Sequence, residues 1–172
     1  MKLNNIKVSF IFENNVVKDQ NKQIIWKNGN FTFTIYKHNR KLVNVTGLKS
    51  AEEIEQQKKL IEEMFQQKVK KERIDNTFFS KKEYKNIDMP SLYKHLKENK
   101  DYFVSYNIEL FPGMYLHPKD KQYPTMILFR TGSYTMMGGK SIKVVYESEL
   151  FLKILIKKYL ICLKGNCNTK NK

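Results

Sequence analysis

The chain has 172 residues, with 32 Lys+Arg against 17 Asp+Glu and a formal net charge of +15. Hydrophobic residues make up 41% and aromatics 13%, which excludes a disordered tail and leaves room for one core, or two half-domains sharing a sheet. The surplus of positive charge favours a polyanionic partner such as nucleic acid, although the Lys and Asn bias of an AT-rich genome produces the same composition.

Residues 4–12 alternate, with Ile6, Val8, Phe10 and Phe12 on one side and Asn5, Lys7, Ser9 and Ile11 on the other, as a strand with one mostly polar face requires. After a polar stretch, Gln23 to Trp26 meets Asn28-Gly29, a type I′ hairpin signal, and then the strand Phe31 to Tyr36. There Phe31, Phe33 and Ile35 form the core face, and Thr32, Thr34 and Tyr36 the other. A third strand is expected from Leu42 to Thr46, ending at Gly47. Ser50 and Glu53 form a capping box for a long helix whose apolar stripe reads Ile54, Ile61, Met64, Phe65 and Val69, with a basic end at Lys68 to Arg73.

The second half is longer. Arg73 to Lys81 reads as a strand, Pro90 to Glu98 as a short helix with proline in its first turn, and Asp101 to Ile108 as a strand. The loop Glu109 to Gly113 follows, then strands at Met114 to His117, Tyr123 to Arg130 and Tyr134 to Met137. Ser141 caps a final helix with Ile142, Val145, Tyr146, Leu152 and Ile156 on its buried side. Lys153, Lys157 and Lys158 argue against a membrane span there, and the tail after Gly165 is expected to fray. The beginning of the chain has Asn4, Asn5 and Lys7 where a signal peptide would be apolar.

A weak duplication organises these elements. Val45-Thr46-Gly47-Leu48-Lys49-Ser50 recurs as Met136-Met137-Gly138-Gly139-Lys140-Ser141, and Asn5 to Phe10 recurs as Asn76 to Ser80 with its preceding Asp75. Each copy of the first pair ends a β-like run and opens a long helix, so the chain reads as two pseudo-symmetric halves. Enzymatic constellations are missing. A phosphate loop needs glycine at position 134, which is Tyr, and Gly132 lies two residues too far away. His38, His95 and His117 are scattered, and no metal-ligand, nucleophile or paired-carboxylate arrangement appears. Cys162 and Cys167 fit neither a zinc site nor a disulfide framework, which favours a reduced intracellular setting.

The run Tyr106-Asn107-Ile108-Glu109-Leu110-Phe111-Pro112-Gly113, then Ile127-Leu128-Phe129-Arg130-Thr131-Gly132 and Met137-Gly138-Gly139-Lys140, resembles the C-terminal repeat of the TATA-box-binding protein family. The likeness covers residues 73–163 well and 4–72 loosely. It implies an α+β saddle: two repeats forming a curved antiparallel sheet with two long helices on its convex side. The divisions would be a shortened repeat over 1–72, a second repeat over 73–163 and a basic tail over 164–172. The resemblance further implies a non-enzymatic initiation factor without cofactor or metal. Such a factor binds and bends AT-rich promoter DNA through the minor groove and recruits a IIB-type transcription factor and RNA polymerase, in the nucleus. The divergence and the Lys/Asn bias suggest a large DNA virus as the source, with a cytoplasmic viral factory or the virion as the alternative compartment.

Residue by residue, Phe111 and Phe129 match the family's paired wedge phenylalanines, rings that enter between base pairs and force the groove open. Asn5 and Asn76 match amides that donate to minor-groove acceptors, a readout of A·T against G·C. Thr46 matches a groove-lining threonine, Lys49 and Lys140 match lysines near phosphates, and Glu109 matches an acid that touches the IIB-type factor. Met137 stands where the family has a second-repeat threonine, Thr135 at a usually apolar position, and Lys7 and Phe78 at positions normally small and apolar. Asn5 and Gly47 are 42 positions apart and Asn76 and Gly138 are 62 apart, so the first half should lack the short helix and most of the loop that carries the wedge. Tyr36 or His38 is the candidate substitute, and any bend is expected to come mainly from the second half. The alternative is a module of the same fold that no longer bends DNA and binds a protein or RNA partner.

Overall fold

The computed structural model describes residues 3–18, 22–83 and 86–160. Cys162, Cys167 and the basic tail lie outside them. The described chain forms one nine-stranded antiparallel sheet and three helices. In chain order these are β1 (Asn5–Phe12), β2 (Ile24–Asn28), β3 (Phe31–Tyr36), β4 (Asn39–Leu48), α1 (Ala51–Phe65), β5 (Val69–Lys81), α2 (Met89–Lys97), β6 (Tyr102–Ser105), β7 (Gly113–Pro118), β8 (Thr125–Phe129), β9 (Tyr134–Met137) and α3 (Ile142–Lys158). The sheet order is β2-β3-β4-β1-β5-β9-β8-β7-β6. β1 and β5 lie side by side at the middle of this order, and each half then runs outward through its last strand, β4 or β9, to its hairpins.

Alternation decides which face is covered. Ile6, Val8, Phe10 and Phe12 of β1 are buried, as are Phe33 and Ile35 of β3 and Val43 and Val45 of β4. In the second half the same face carries Phe79, Met114, Leu116, Met126, Leu128, Tyr134 and Met136. All of them join Ile54 and Ile61 of α1, Leu92 and Leu96 of α2, and Val145, Leu152 and Ile156 of α3 in one core. Aromatic contacts join sheet to helices: Phe65 of α1 meets Phe12 edge-on with centroids 6.0 Å apart, and Phe151 of α3 stacks on Tyr102 at 5.1 Å. Burial, helped by a hydrogen bond to Glu149 at 3.0 Å, pushes the Tyr134 hydroxyl well above the usual tyrosine range, so it stays a neutral donor inside this core.

Both long helices start at the serines expected. The Ser50 and Ser141 side chains accept from the backbone N–H of Glu53 and Val144, while Glu53 reaches back to the N–H of Lys49 at 2.7 Å. Asp88 caps α2, with Pro90 in the first turn.

Several expectations are corrected. The basic run Lys68 to Arg73 does not end α1: the helix stops at Phe65, Gln66 adopts φ 52°, and β5 begins at Val69. The turn is made by Glu62, whose carboxylate accepts the Val69 N–H at 2.8 Å, the contact that chiefly holds its carboxyl below the usual range. Met64 and Tyr146, expected inside, are 49% and 41% exposed, and Ile142 is only half-buried; on α3 the buried stripe instead runs through Val144, Ser148 and Leu155. The β2–β3 turn is type II′ rather than I′, because Asn28 pairs with Phe31 and only Gly29 of the two loop residues has positive φ, 57°. β4 runs past both ends of the expected Leu42 to Thr46, and β6 is shorter than Asp101 to Ile108. Between β1 and β4 no helix occurs among the described residues.

Gly47 lies within β4 at φ +97°, beside the register shift of β1, and a β-carbon there would fall 2.1 Å from the Asn30 carbonyl oxygen. Gly47→Ala should therefore cost about 2–4 kcal/mol. At Gly29, which has open space around it, the same change should cost about 1 kcal/mol. Urea unfolding midpoints of the two variants check this difference.

Candidate nucleic-acid interface

Among the described residues no helix packs on the other face of the sheet. Directly opposed residues of antiparallel strands share a face, so the pairings define its rows. One runs Asn5, Phe78, Met137, Thr125. A second runs Ser80, Thr135, Ile127, Tyr115, Ser105. In the first half, Lys7 faces Asn76, Thr46 faces Thr32, and Ile25, Thr34, Asn44, Ser9 and Arg73 form one row. Hydroxyls and amides dominate the first half of this face, and large apolar side chains the second. Phe78 and Met137 at its centre are 37% and 38% exposed.

Phe111 and Phe129 lie on this open face, not under the helices. Their centroids are 5.8 Å apart at 62°, and Phe111 continues to Tyr115 at 5.2 Å. Gly113 pairs with Phe129, and a β-carbon on it would fall 2.5 Å from a Phe111 ring carbon and 2.7 Å from an Ile127 methyl. The bare backbone at Gly113 thus seats both rings. Phe129 is fixed from behind by the β8–β9 turn, where its N–H donates to Ser133 and its carbonyl accepts from Gly132 at 2.8 Å. Phe111 ends a loop closed by Asn107, whose carbonyl accepts from Leu110 and Phe111 and whose side chain accepts from Glu109. Glu109 is exposed there between Ile108 and Leu110, which are 62% and 83% exposed.

The matched asparagines differ in how they are held. The Asn5 amide oxygen accepts from the Gly47 N–H at 2.8 Å, which leaves its NH₂ group as the outward donor. In the second half, the Gly138 N–H donates to the Thr77 carbonyl instead, so Asn76 is exposed without that anchor. Thr46 and Thr135 are half-buried on the open face, Lys49 is half-buried at the β4–α1 junction, and Lys140 is exposed with its Nζ donating to the Asp75 carbonyl at 2.7 Å. Tyr36 is related to Phe129 by register. Thr46 pairs with Thr32 as Met137 pairs with Thr125, and four residues further along stand Tyr36 and Phe129. Tyr36 stacks with His38 at 5.6 Å.

Sequence reasoning missed Tyr115, Ile127 and the set Ser9, Asn44, Arg73 and Asp75. The period-two alternation of β7 and β8 carried a signal for the first two. The others depend on which strands neighbour each other. Among the described residues no group of three or more His, Cys, Asp or Glu side chains could hold a metal ion, and no helix is long and apolar enough to cross a membrane.

The comparisons with known proteins agree with this architecture. Residues 71–158, just over half of the chain, match the family described as transcription factor TFIID, or TATA-binding protein. No curated protein matches. Among solved structures, the TATA-binding protein of Methanococcus jannaschii is similar, with a TM-score of 0.62 and 21% identity over 91% of this chain and 98% of that one. That likeness speaks for the fold, and the family match extends across β5, α2, β6 to β9 and α3. The chain belongs to the TATA-binding protein family.

Proposed function

We propose that this chain is a transcription initiation factor whose open sheet face binds AT-rich promoter DNA in the minor groove and bends it. The supporting observation is the pair Phe111 and Phe129, set on the helix-free face over Gly113. The two halves, residues 1–72 and 73–163, form a saddle with α1 and α3 on its convex side, and the basic segment 164–172 lies outside the described residues. DNA lies along the open face. The Asn5 and Asn76 amides donate to purine N3 and pyrimidine O2, and Thr46, Thr135 and Met137 line the groove. Lys49 and Lys140 meet phosphates.

Separating two stacked base pairs costs a few kcal/mol per step, which the wider protein–DNA contact offsets. Among the described residues no second phenylalanine pair stands at the Tyr36 end, where threonines prevail, so the kink is driven from the second half. Glu109, with Ile108 and Leu110 beside it, offers an exposed edge to a IIB-type factor, through which RNA polymerase is recruited. The setting is the nucleus, or a cytoplasmic factory if the source is a large DNA virus.

Phe111→Ala and Phe129→Ala should each abolish most of the bend seen by circular permutation and weaken binding to an AT-rich duplex about tenfold or more, since base–aromatic contacts contribute about 1–3 kcal/mol each. Unchanged bending in both variants would refute the wedge. A gel-shift comparison of AT-rich with GC-rich duplexes at moderate salt should show clear preference for the former. Equal affinity would instead favour a module of this fold that binds a protein or RNA partner. Gly113→Val, which pushes both rings off their seat, should reproduce the bending defect while α1 and α3 remain folded by circular dichroism.

A further inference from the structure

On the central strands of the open face, a chain of polar contacts runs from buried to exposed. Asn44 and Ser9 are 5% and 0% exposed, and the Ser9 hydroxyl lies 2.9 Å from the Asn44 amide oxygen. The same hydroxyl contacts the Asp75 carboxylate. Asp75 falls in a bulge of β5, between Asn76, which faces Lys7, and Ile74, which faces Val8; the extra residue turns its carboxylate onto the open face. That carboxylate accepts from Arg73 Nε at 2.7 Å, and the Asp75 backbone carbonyl accepts from Lys140 Nζ, also at 2.7 Å. The side chain of Asp75 is 17% exposed and that of Arg73 58%.

A carboxylate on a face that meets DNA is costly unless it does something for binding. Here it engages the Nε–H, one of the five guanidinium N–H groups of Arg73, while the other four sit on the terminal nitrogens; Lys140 gives one of its three N–H donors to the Asp75 carbonyl. Two cations of different chain segments thus meet at one residue, Arg73 on its carboxylate and Lys140 on its main-chain carbonyl, and the carboxylate is held from below by Ser9. Fixing a guanidinium in advance lowers the entropy lost when it meets a phosphate.

We infer that Asp75 is a positioning residue that holds Arg73 and Lys140 as a two-cation clamp for the phosphate backbone of the bound duplex. The clamp belongs to one half only: Asn4 stands at the position related to Asp75 by the duplication, and it donates no charge, its side chain accepting from the Ser80 N–H. Contact with the backbone is therefore lopsided, stronger on the side of the clamp.

The inference rests on the proposed DNA binding, and the test separates the two. Affinity of the full chain for a short AT-rich duplex is measured against salt for the wild type, Arg73→Ala, Lys140→Ala, Asp75→Asn and Arg73→Ala/Asp75→Asn. Each lost phosphate contact should lower the slope of log affinity against log salt by about 0.9, so Arg73→Ala and Lys140→Ala should each show that change with about fivefold weaker binding. Asp75→Asn removes a negative charge yet should weaken binding and lower the slope as well, and the double variant should be no weaker than Arg73→Ala. Tighter binding by Asp75→Asn, or an unchanged slope in Arg73→Ala, overturns the clamp while leaving DNA binding intact. A wild type that binds no duplex overturns both. Should Asp75→Asn fail to fold, Arg73→Ala alone decides, since that side chain is exposed.

Discussion

The pairing of β1 with β5 is the constraint on which the rest of the structure depends. It runs from Asn5 opposite Phe78 to Phe12 opposite Val69 and is the seam between two halves that are otherwise built separately. Because the strands are antiparallel, the residues that the duplication relates, Asn5 and Asn76, come to rungs two apart on one face of the ladder, facing Phe78 and Lys7 respectively, with the Ile6–Thr77 rung between them. Both halves turn their apolar side chains to the same layer of helices, and a single uninterrupted surface is left open on the other side. A one-residue slip in this ladder would send Ile6 and Val8 outward and Lys7 into the core.

The two halves solve the same packing problem with different amounts of chain. Each ends in a strand, a glycine at positive φ, and a serine-capped helix. The first half links β1 to β2 without a helix among the described residues, whereas the second inserts α2, β6 and the loop that delivers Phe111. The open face inherits the difference: threonines and amides at one end, and at the other a run of Phe129, Phe111, Tyr115 and His117 in successive ring contact. In the proposed function this asymmetry gives the complex a direction, since one end can part base pairs and the other can only follow the groove.

Much of this was legible in the sequence, because the strongest signals were local. Alternation in Asn5 to Phe12 and Phe31 to Tyr36, the Ser50 and Ser141 caps and Pro90 each specify their element with little help from the rest of the chain. The Glu-Leu-Phe-Pro-Gly run pointed to the family and to Phe111. The errors fell where tertiary contacts outvote local pattern. Lys68 to Arg73 looks like a helix end, but Glu62 captures the Val69 N–H and the chain turns into a strand. Tyr146 fits a buried helical stripe, yet the sheet beneath α3 is filled by Val144, Val145, Leu152 and Leu155. The Asn44–Ser9–Asp75–Arg73 chain joins residues up to 66 positions apart, which no window of sequence displays.

The most direct test is the crystal structure of this chain with an AT-rich duplex. The account places the duplex on the helix-free face, minor groove toward the sheet, with the Phe111 and Phe129 rings inserted at one base step and no matching insertion near Tyr36. A duplex lying against α1 and α3, or an undistorted duplex with both rings still packed over Gly113, would contradict it.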